Sequence, residues 1–278
     1  MKSTTFKRFA KRKSSVAGGI IIVFFILVAL VGPYVAAYDP LAINLPNKYQ
    51  NASLAHPLGT DNLGRDTLTR LIYGARTTLV ISFTAVFSGS IIGLALGVLA
   101  GYFGGRIDNA LMRTTDVLLA FPGLLLAIAI VAILGNGIIN TIIAIAIYNI
   151  PYIARIVRGS VLSIRNSEYV QASKVIGASH ARIILTHIIP NSFSQVIVNT
   201  TLSLGTAILT SSSLSFLGLG VQPPHPEWGS MLSKAREVIR SVPIAALAPG
   251  IAITLVVLSF SLLGDGLRDA LDPRLRNS

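Results

Sequence analysis

Six apolar stretches dictate what this chain can become. They lie near residues 16–37, 78–101, 116–135, 138–158, 193–219 and 244–264, and each approaches or exceeds the ~20 residues a helix needs to cross a hydrocarbon core. Only Gly135, Asn136 and Gly137 separate the third from the fourth, which leaves room for a tight turn and nothing more. Hydrophobic residues make up 52% of the 278 and charged residues 12%, about half the charged share of an ordinary soluble domain. The expected fold class is therefore an all-α membrane protein with six transmembrane helices.

The net charge of +12 raises the question of nucleic acid. The basic residues sit at the ends of apolar runs rather than along one face, which fits membrane orientation instead. Lys2, Lys7, Arg8, Lys11, Arg12 and Lys13 precede the first span with no acid among them, so the N-terminus is expected in the cytoplasm. Six crossings then return the C-terminus to the same side. Sixteen of the 23 Lys and Arg fall on segments assigned to the cytoplasm and seven on external ones. The expected organisation is a basic tail over 1–15, an anchor over 16–37, an extracytoplasmic segment over 38–76, a core over 77–265 containing a cytoplasmic loop at 159–192, and a tail over 266–278. A second external segment covers 222–243. The first span resembles a secretory signal ending at Val35-Ala36-Ala37, but a retained anchor is the simpler state with five spans following.

The loop between the fourth and fifth spans is not filler. Tyr169, Ala172, Ser173 and Ile176 recur at helical spacing, as do Ala181, Ile184, Leu185 and Ile188, with Gly177 between the two sets. This pattern predicts two short amphipathic helices joined at a glycine corner, a knob suited to docking a soluble partner.

Catalytic chemistry finds little footing. By topology His56 and His225 lie outside, His180 and His187 inside, so the four do not assemble one metal site or acid–base pair. No phosphate-cradling Gly-x-x-x-x-Gly-Lys-Ser/Thr motif occurs. The stretch Asp61-Asn62-Leu63-Gly64-Arg65-Asp66 has its glycine too early for a calcium loop and lacks the closing Glu. With no cysteine there is no disulfide, thiol nucleophile or thiolate metal site. The spans are nearly free of charge at mid-depth, where an ion-coupled carrier places its relays, so the energy for any transport is expected from elsewhere.

Two patterns within the spans have competing readings. Gly89, Gly93, Gly97, Gly101 and Gly105 form a ladder that lets another helix approach closely, as ordinary packing or, alternatively, at a gate. Asn199, Ser203, Thr206, Thr210 and Ser213 draw one polar stripe along the fifth span. It reads either as the lining of a hydrated translocation path or as a row of interhelical hydrogen bonds, each worth about 0.6 kcal/mol. Near the C-terminus, Arg268 stands at ion-pairing distance in sequence from Asp265 and Asp272.

Four ordered stretches carry a resemblance. They are His56-Pro57-Leu58-Gly59-Thr60-Asp61-Asn62-Leu63-Gly64-Arg65-Asp66 with Tyr73-Gly74-Ala75-Arg76, the loop around Gly177, Ser215-Phe216-Leu217-Gly218-Leu219-Gly220 through Pro224, Glu227, Trp228 and Gly229, and Gly264-Asp265 through Leu271-Asp272-Pro273-Arg274. Together the chain resembles the permease subunit of a type I ABC importer of the dipeptide/oligopeptide/nickel branch. The resemblance implies a methionine-importer-permease-like core in the cytoplasmic (inner) membrane, without enzyme activity or a cofactor of its own, since partner subunits bind ATP. It implies a second homologous permease subunit, two ABC ATPase subunits and an extracytoplasmic solute-binding protein as partners, with membrane lipid around the spans and no nucleic acid. The Gly177 loop is similar to the family's "EAA" loop, so Glu168, Tyr169, Gln171, Ala172, Ser173, Gly177, Ala178, His187 and Pro190 are expected at the ATPase-coupling helix. The sequence departs at Gln171 where the family has Glu, at Ser173 for the second Ala, and at Ile189-Pro190 for Leu-Pro. Asp61, Arg65, Asp66 and Trp228 are the expected binding-protein contacts. The cargo expected is di- or oligopeptides, with nickel or metal chelates behind them. An ion-coupled carrier and a membrane scaffold or sensor subunit are the rival readings.

Overall fold

The computed structural model describes residues 12–271. Lys2, Lys7, Arg8 and Lys11 of the basic tail, and Asp272, Pro273 and Arg274 of the C-terminal cluster, lie outside the described residues. Among the described residues nine α-helices follow one another: α1 (Lys13–Val35), α2 (Thr67–Phe103), α3 (Gly105–Leu119), α4 (Gly123–Leu134), α5 (Ile138–Ile164), α6 (Glu168–Val175), α7 (His180–Phe216), α8 (Trp228–Ala235) and α9 (Ile244–Leu271). Five of them, α1, α2, α5, α7 and α9, are long and apolar enough to cross a membrane.

The expected third span, 116–135, is corrected. α3 and α4 meet at a 90° bend and count at most as one broken span. Pro122 explains the break: it disfavours helical geometry at the residue before it and cannot donate a backbone hydrogen bond. α3 is amphipathic and tied to the end of α5 by ion pairs, Asp108–Arg158 at 2.5 Å and Asp116–Arg155 at 2.7 Å. Other boundaries also move. α2 begins eleven residues before the apolar run at 78, because Asp66 caps it by accepting from the Thr69 amide at 2.7 Å. The second short helix expected after Gly177 is no separate element; it is the first turn of α7.

The long helices surround one core that joins α1, α2, α7 and α9, with Phe25, Leu79, Val86, Ile208, Trp228, Val256 and Phe260 inside; α7 and α9 run antiparallel, whereas α2 and α5 run parallel. α2 and α5 make the closest contact. A Cβ added to Gly89, Gly93, Gly97 or Gly101 would lie 2.5–2.8 Å from Ala146 O, Ile150 O, Ala154 O and Val161 Cβ respectively. The ladder thus serves ordinary packing within the bundle; Gly105 opens α3, beyond the end of α2 at Phe103, with nothing within 4 Å of an added Cβ, and takes no part. Outward faces such as Ile20, Val23, Phe24, Leu27 and Val31 of α1 stay exposed, as lipid contact requires.

Candidate functional site

The chain crowds its informative residues at the two ends of the bundle. At the first, α5 ends at Ile164, α6 runs from Glu168 to Val175, and Gly177 turns the chain into α7 with φ +86°. A side chain there is strained by that backbone geometry although no heavy atom stands within 4 Å of an added Cβ. Val170 and Ile183 are buried and pin the two arms to α2 and α5, with partly buried Ala178 against them. The predicted apolar face of α6 points the other way. Tyr169 and Ala172 are exposed, and Val175 and Ile176 are 88% and 85% accessible. Exposed contiguous apolar surface of this kind marks an interaction site.

Specific hydrogen bonds set the knob's shape. Ser173 Oγ lies 3.1 Å from His187 Nε2, whose ring also meets Tyr169 at 5.8 Å. Tyr102, near the end of α2, bonds His180 Nδ1 at 2.9 Å, and the Lys174 ammonium sits 5.8 Å over the Tyr102 ring. Gln171 Nε2 donates to Arg165 O at 3.1 Å, a bond that Glu, with no donor when ionised, does not offer. Glu168 is exposed in the first turn of α6. Pro190, also exposed, leaves Thr186 O without its i+4 donor, and the ladder widens to π geometry over Ile184–Ile188. The structure therefore brings every expected coupling residue into one protrusion.

The opposite end overturns an expectation. Trp228 is fully buried: its ring packs edge-on against Phe25 at 5.6 Å, its Nε1 donates to Leu71 O at 3.0 Å, and Gly74 leaves space for it. Arg65 and Asp66 are 2% and 4% exposed. Asp66 is spent on capping α2 and on His56 Nδ1 at 2.9 Å. Asp61 takes the Leu63 and Arg65 amides on one oxygen, and Arg65 and Arg70 on the other. Trp228, Arg65 and Asp66 are corrected from binding-protein contacts to internal braces, and Asp61 shares that bracing role. Two of the four resemblance stretches, around Asp61 and around Trp228, are thus two halves of one interlocked block.

The polar stripe of α7 divides. Ser203 is buried, Asn199, Thr210 and Ser213 are partly exposed, and Thr206 is exposed. The recorded side-chain bonds of Asn199, Thr206 and Thr210 return to their own helix, at Gln195 O, Ser203 O and Thr206 O. They do not bridge helices. The interhelical polar contact lies elsewhere, where Asn149 of α5 and Thr200 of α7 both reach Ser90 of α2, at 3.3 and 3.1 Å. That node was hidden because each helix contributes only one of its members. Asn199 also lines a polar cleft of about 790 Å³ with Asn191, Gln195, Tyr152 and Arg268. Arg268 has no ion-pair partner among the described residues, so the expected pair with Asp265 does not form; Asp269 instead pairs with Arg12.

Comparison with known proteins gives consistent matches. Residues 93–277 match the family described as "Binding-protein-dependent transport system inner membrane component", and residues 3–56 match the "N-terminal TM domain of oligopeptide transport permease C". The chain is 49% identical over 272 residues to the dipeptide transport system permease protein DppC of Alkalihalophilus pseudofirmus, covering 98% of this chain and 90% of that one. It is 44% identical over 272 residues to the glutathione transport system permease protein GsiD of Pectobacterium atrosepticum, with the same coverage of 98% and 90%. Among solved structures, an inward-facing MetNI methionine ABC transporter matches with a TM-score of 0.60 at 20% identity, over 73% of this chain and 97% of that chain. At that identity the likeness speaks for the fold alone.

Proposed function

The chain belongs to the binding-protein-dependent transport system inner membrane components, as an ABC importer permease of the peptide branch, and we propose that it carries short peptides and is driven through the Gly177 knob. As a multi-pass membrane permease it is not an enzyme; the ATP is hydrolysed by partner subunits. The named cargoes of its relatives, dipeptides and glutathione, are peptides of two or three residues, which favours that class here over metal chelates.

In this reading α6 seats in a cleft of an ATPase subunit, one ATPase serving this chain and a second serving a homologous permease subunit. Both termini lie in the cytoplasm with the knob, as the excess of Lys and Arg at that end supports. The block around Trp228 then faces outward, where a solute-binding protein delivers cargo. The partly exposed stripe of α7 contributes to the path.

The carrying observation is the knob: an apolar face turned away from its own bundle and held at a corner that only a residue tolerant of φ +86° suits. Gly177→Val strains that corner without colliding with a neighbour. The variant is expected to insert and assemble normally, to keep ATP hydrolysis, and to lose about ten-fold or more in peptide uptake, a barrier change of about 1.4 kcal/mol. Undiminished uptake by Gly177→Val in proteoliposomes contradicts the coupling role. Uptake that persists without ATP and collapses with the proton gradient supports the ion-coupled reading instead.

A further inference from the structure

The two arms of the knob are closed separately. α6 ends on the bond from Ala178 N to Ser173 O at 3.0 Å, and α7 starts on its own cap, where Ser179 Oγ accepts from the Arg182 amide at 3.3 Å. Among the described residues no backbone hydrogen bond runs from one helix to the other. Gly177, between them, has open space around it. Buried Val170 and Ile183 share a core cluster across the corner, but apolar contact is non-directional and lets one arm rotate on the other. The polar ties of Gln171 and Lys174 lead away, to Arg165 O at the end of α5 and to the Tyr102 ring of α2. Among the described residues a single side-chain hydrogen bond joins α6 to α7, between Ser173 Oγ and His187 Nε2 at 3.1 Å. Its polarity is set by a neighbour. The Ser173 hydroxyl donates its one proton to Tyr169 O at 2.8 Å, so Oγ accepts from the His187 Nε2–H. The same imidazole meets the Tyr169 ring edge-on at 5.8 Å. Tyr169 and Ser173 stand one turn apart on α6, so His187 holds two successive turns of it.

Given the coupling role assigned to the knob, we propose that His187 and Ser173 form a clasp fixing the angle between α6 and α7, so that displacement of α6 by the ATPase turns α7 instead of being absorbed at Gly177. A hydrogen bond suits this task because it weakens steeply when its angle changes, which the apolar contact of Val170 with Ile183 does not. Both are positioning residues. Ser173 and His187 are part-buried behind α6, whereas Ala172, Val175 and Ile176 are exposed and left for the ATPase. Opening the clasp therefore keeps the docking face and loosens the joint behind it.

The test uses the complete complex with its binding protein in proteoliposomes and reads labelled dialanine taken up per ATP hydrolysed. Ser173→Ala removes the acceptor, and His187→Phe removes the donor while keeping a ring against Tyr169. Each is expected to assemble and to go on hydrolysing ATP, with the ratio lowered about three-fold or more, the scale of one lost hydrogen bond. The double variant is expected to lose no more than either single one, because both break the same bond. Ser173→Thr keeps a hydroxyl and His187→Gln an N–H donor, and each is expected to restore most of the ratio. A wild-type ratio in Ser173→Ala overturns the proposal, and so do losses that multiply in the double variant. Gly177→Val separates the clasp from the coupling role itself. If it uncouples while Ser173→Ala does not, the clasp alone fails; if it too transports at the full ratio, the coupling role of the knob fails with it.

Discussion

Glu227 shows how much one residue can be asked to do at this end of the molecule. It is fully buried, caps α8 by accepting from the Ser230 amide at 2.8 Å, and lies 3.5 Å from the Thr78 hydroxyl. Burial pushes its carboxyl pKa above 4.5, and the hydrogen bonds from Ser230, Gly229, Ser215 and Thr78 offset this only in part. The folded state therefore holds a proton that the unfolded state releases. The stability this contributes is full below pH 4.5 and declines as pH rises through the folded pKa. Glu227→Gln keeps a capping oxygen and removes the ionisation. Its unfolding midpoint is expected to depend less on pH above 4.5 than that of wild type, with the gap widening toward high pH. Parallel pH profiles for the two proteins contradict that account. The sequence marked Trp228 and Asp66 as notable but misread them as surface contacts, since a motif reports that a residue type matters and not which way it faces. Thr78, Glu227's partner, is separated from it by 149 positions, a distance no local pattern spans.

At the scale of elements, periodicity was the dependable signal. The four-residue spacing of Gly89, Gly93, Gly97 and Gly101 predicted a face open to close approach, and α5 occupies it. Gly97→Leu drives a branched side chain into Ala154 O and Val157 Cβ, which stand 2.5 and 2.7 Å from an added Cβ. Separation of α2 from α5 is expected, with a loss of about 1–3 kcal/mol or more, read as a lower unfolding midpoint in detergent. Gly177→Val should leave that midpoint near wild type, because its neighbourhood is open. The contrast separates a packing glycine from a corner glycine. What periodicity missed were the interruptions. Pro122 splits an otherwise continuous apolar run into α3 and α4, and Pro190 marks the π segment of α7 without ending the helix. Hydrophobicity averaged over a span is blind to both.

Across the whole molecule, α7 is the member that joins the two ends. Its 37 residues reach from the knob to the block around Trp228, about 55 Å at 1.5 Å per residue. One end is braced by buried charge and an aromatic anchor, the other is exposed and follows the turn at Gly177. In the proposed coupling, a force applied at the Gly177 end turns α7 against a fixed far end, and the partly exposed stripe is carried with it. Accessibility along the stripe should then depend on the nucleotide state of the ATPases. The chain has no cysteine, so single substitutions report without background. Asn199→Cys, beside the 790 Å³ cleft, is expected to react with a small hydrophilic thiol reagent in the nucleotide-free complex and several-fold more slowly when ATP is trapped. Ser203→Cys, one turn along at 6% exposure, should stay unreactive in both states. Equal reactivity of Asn199→Cys with and without trapped ATP would remove this stripe from the path and leave its polar groups as self-satisfied helix surface, which their bonds to Gln195 O and Thr206 O already permit.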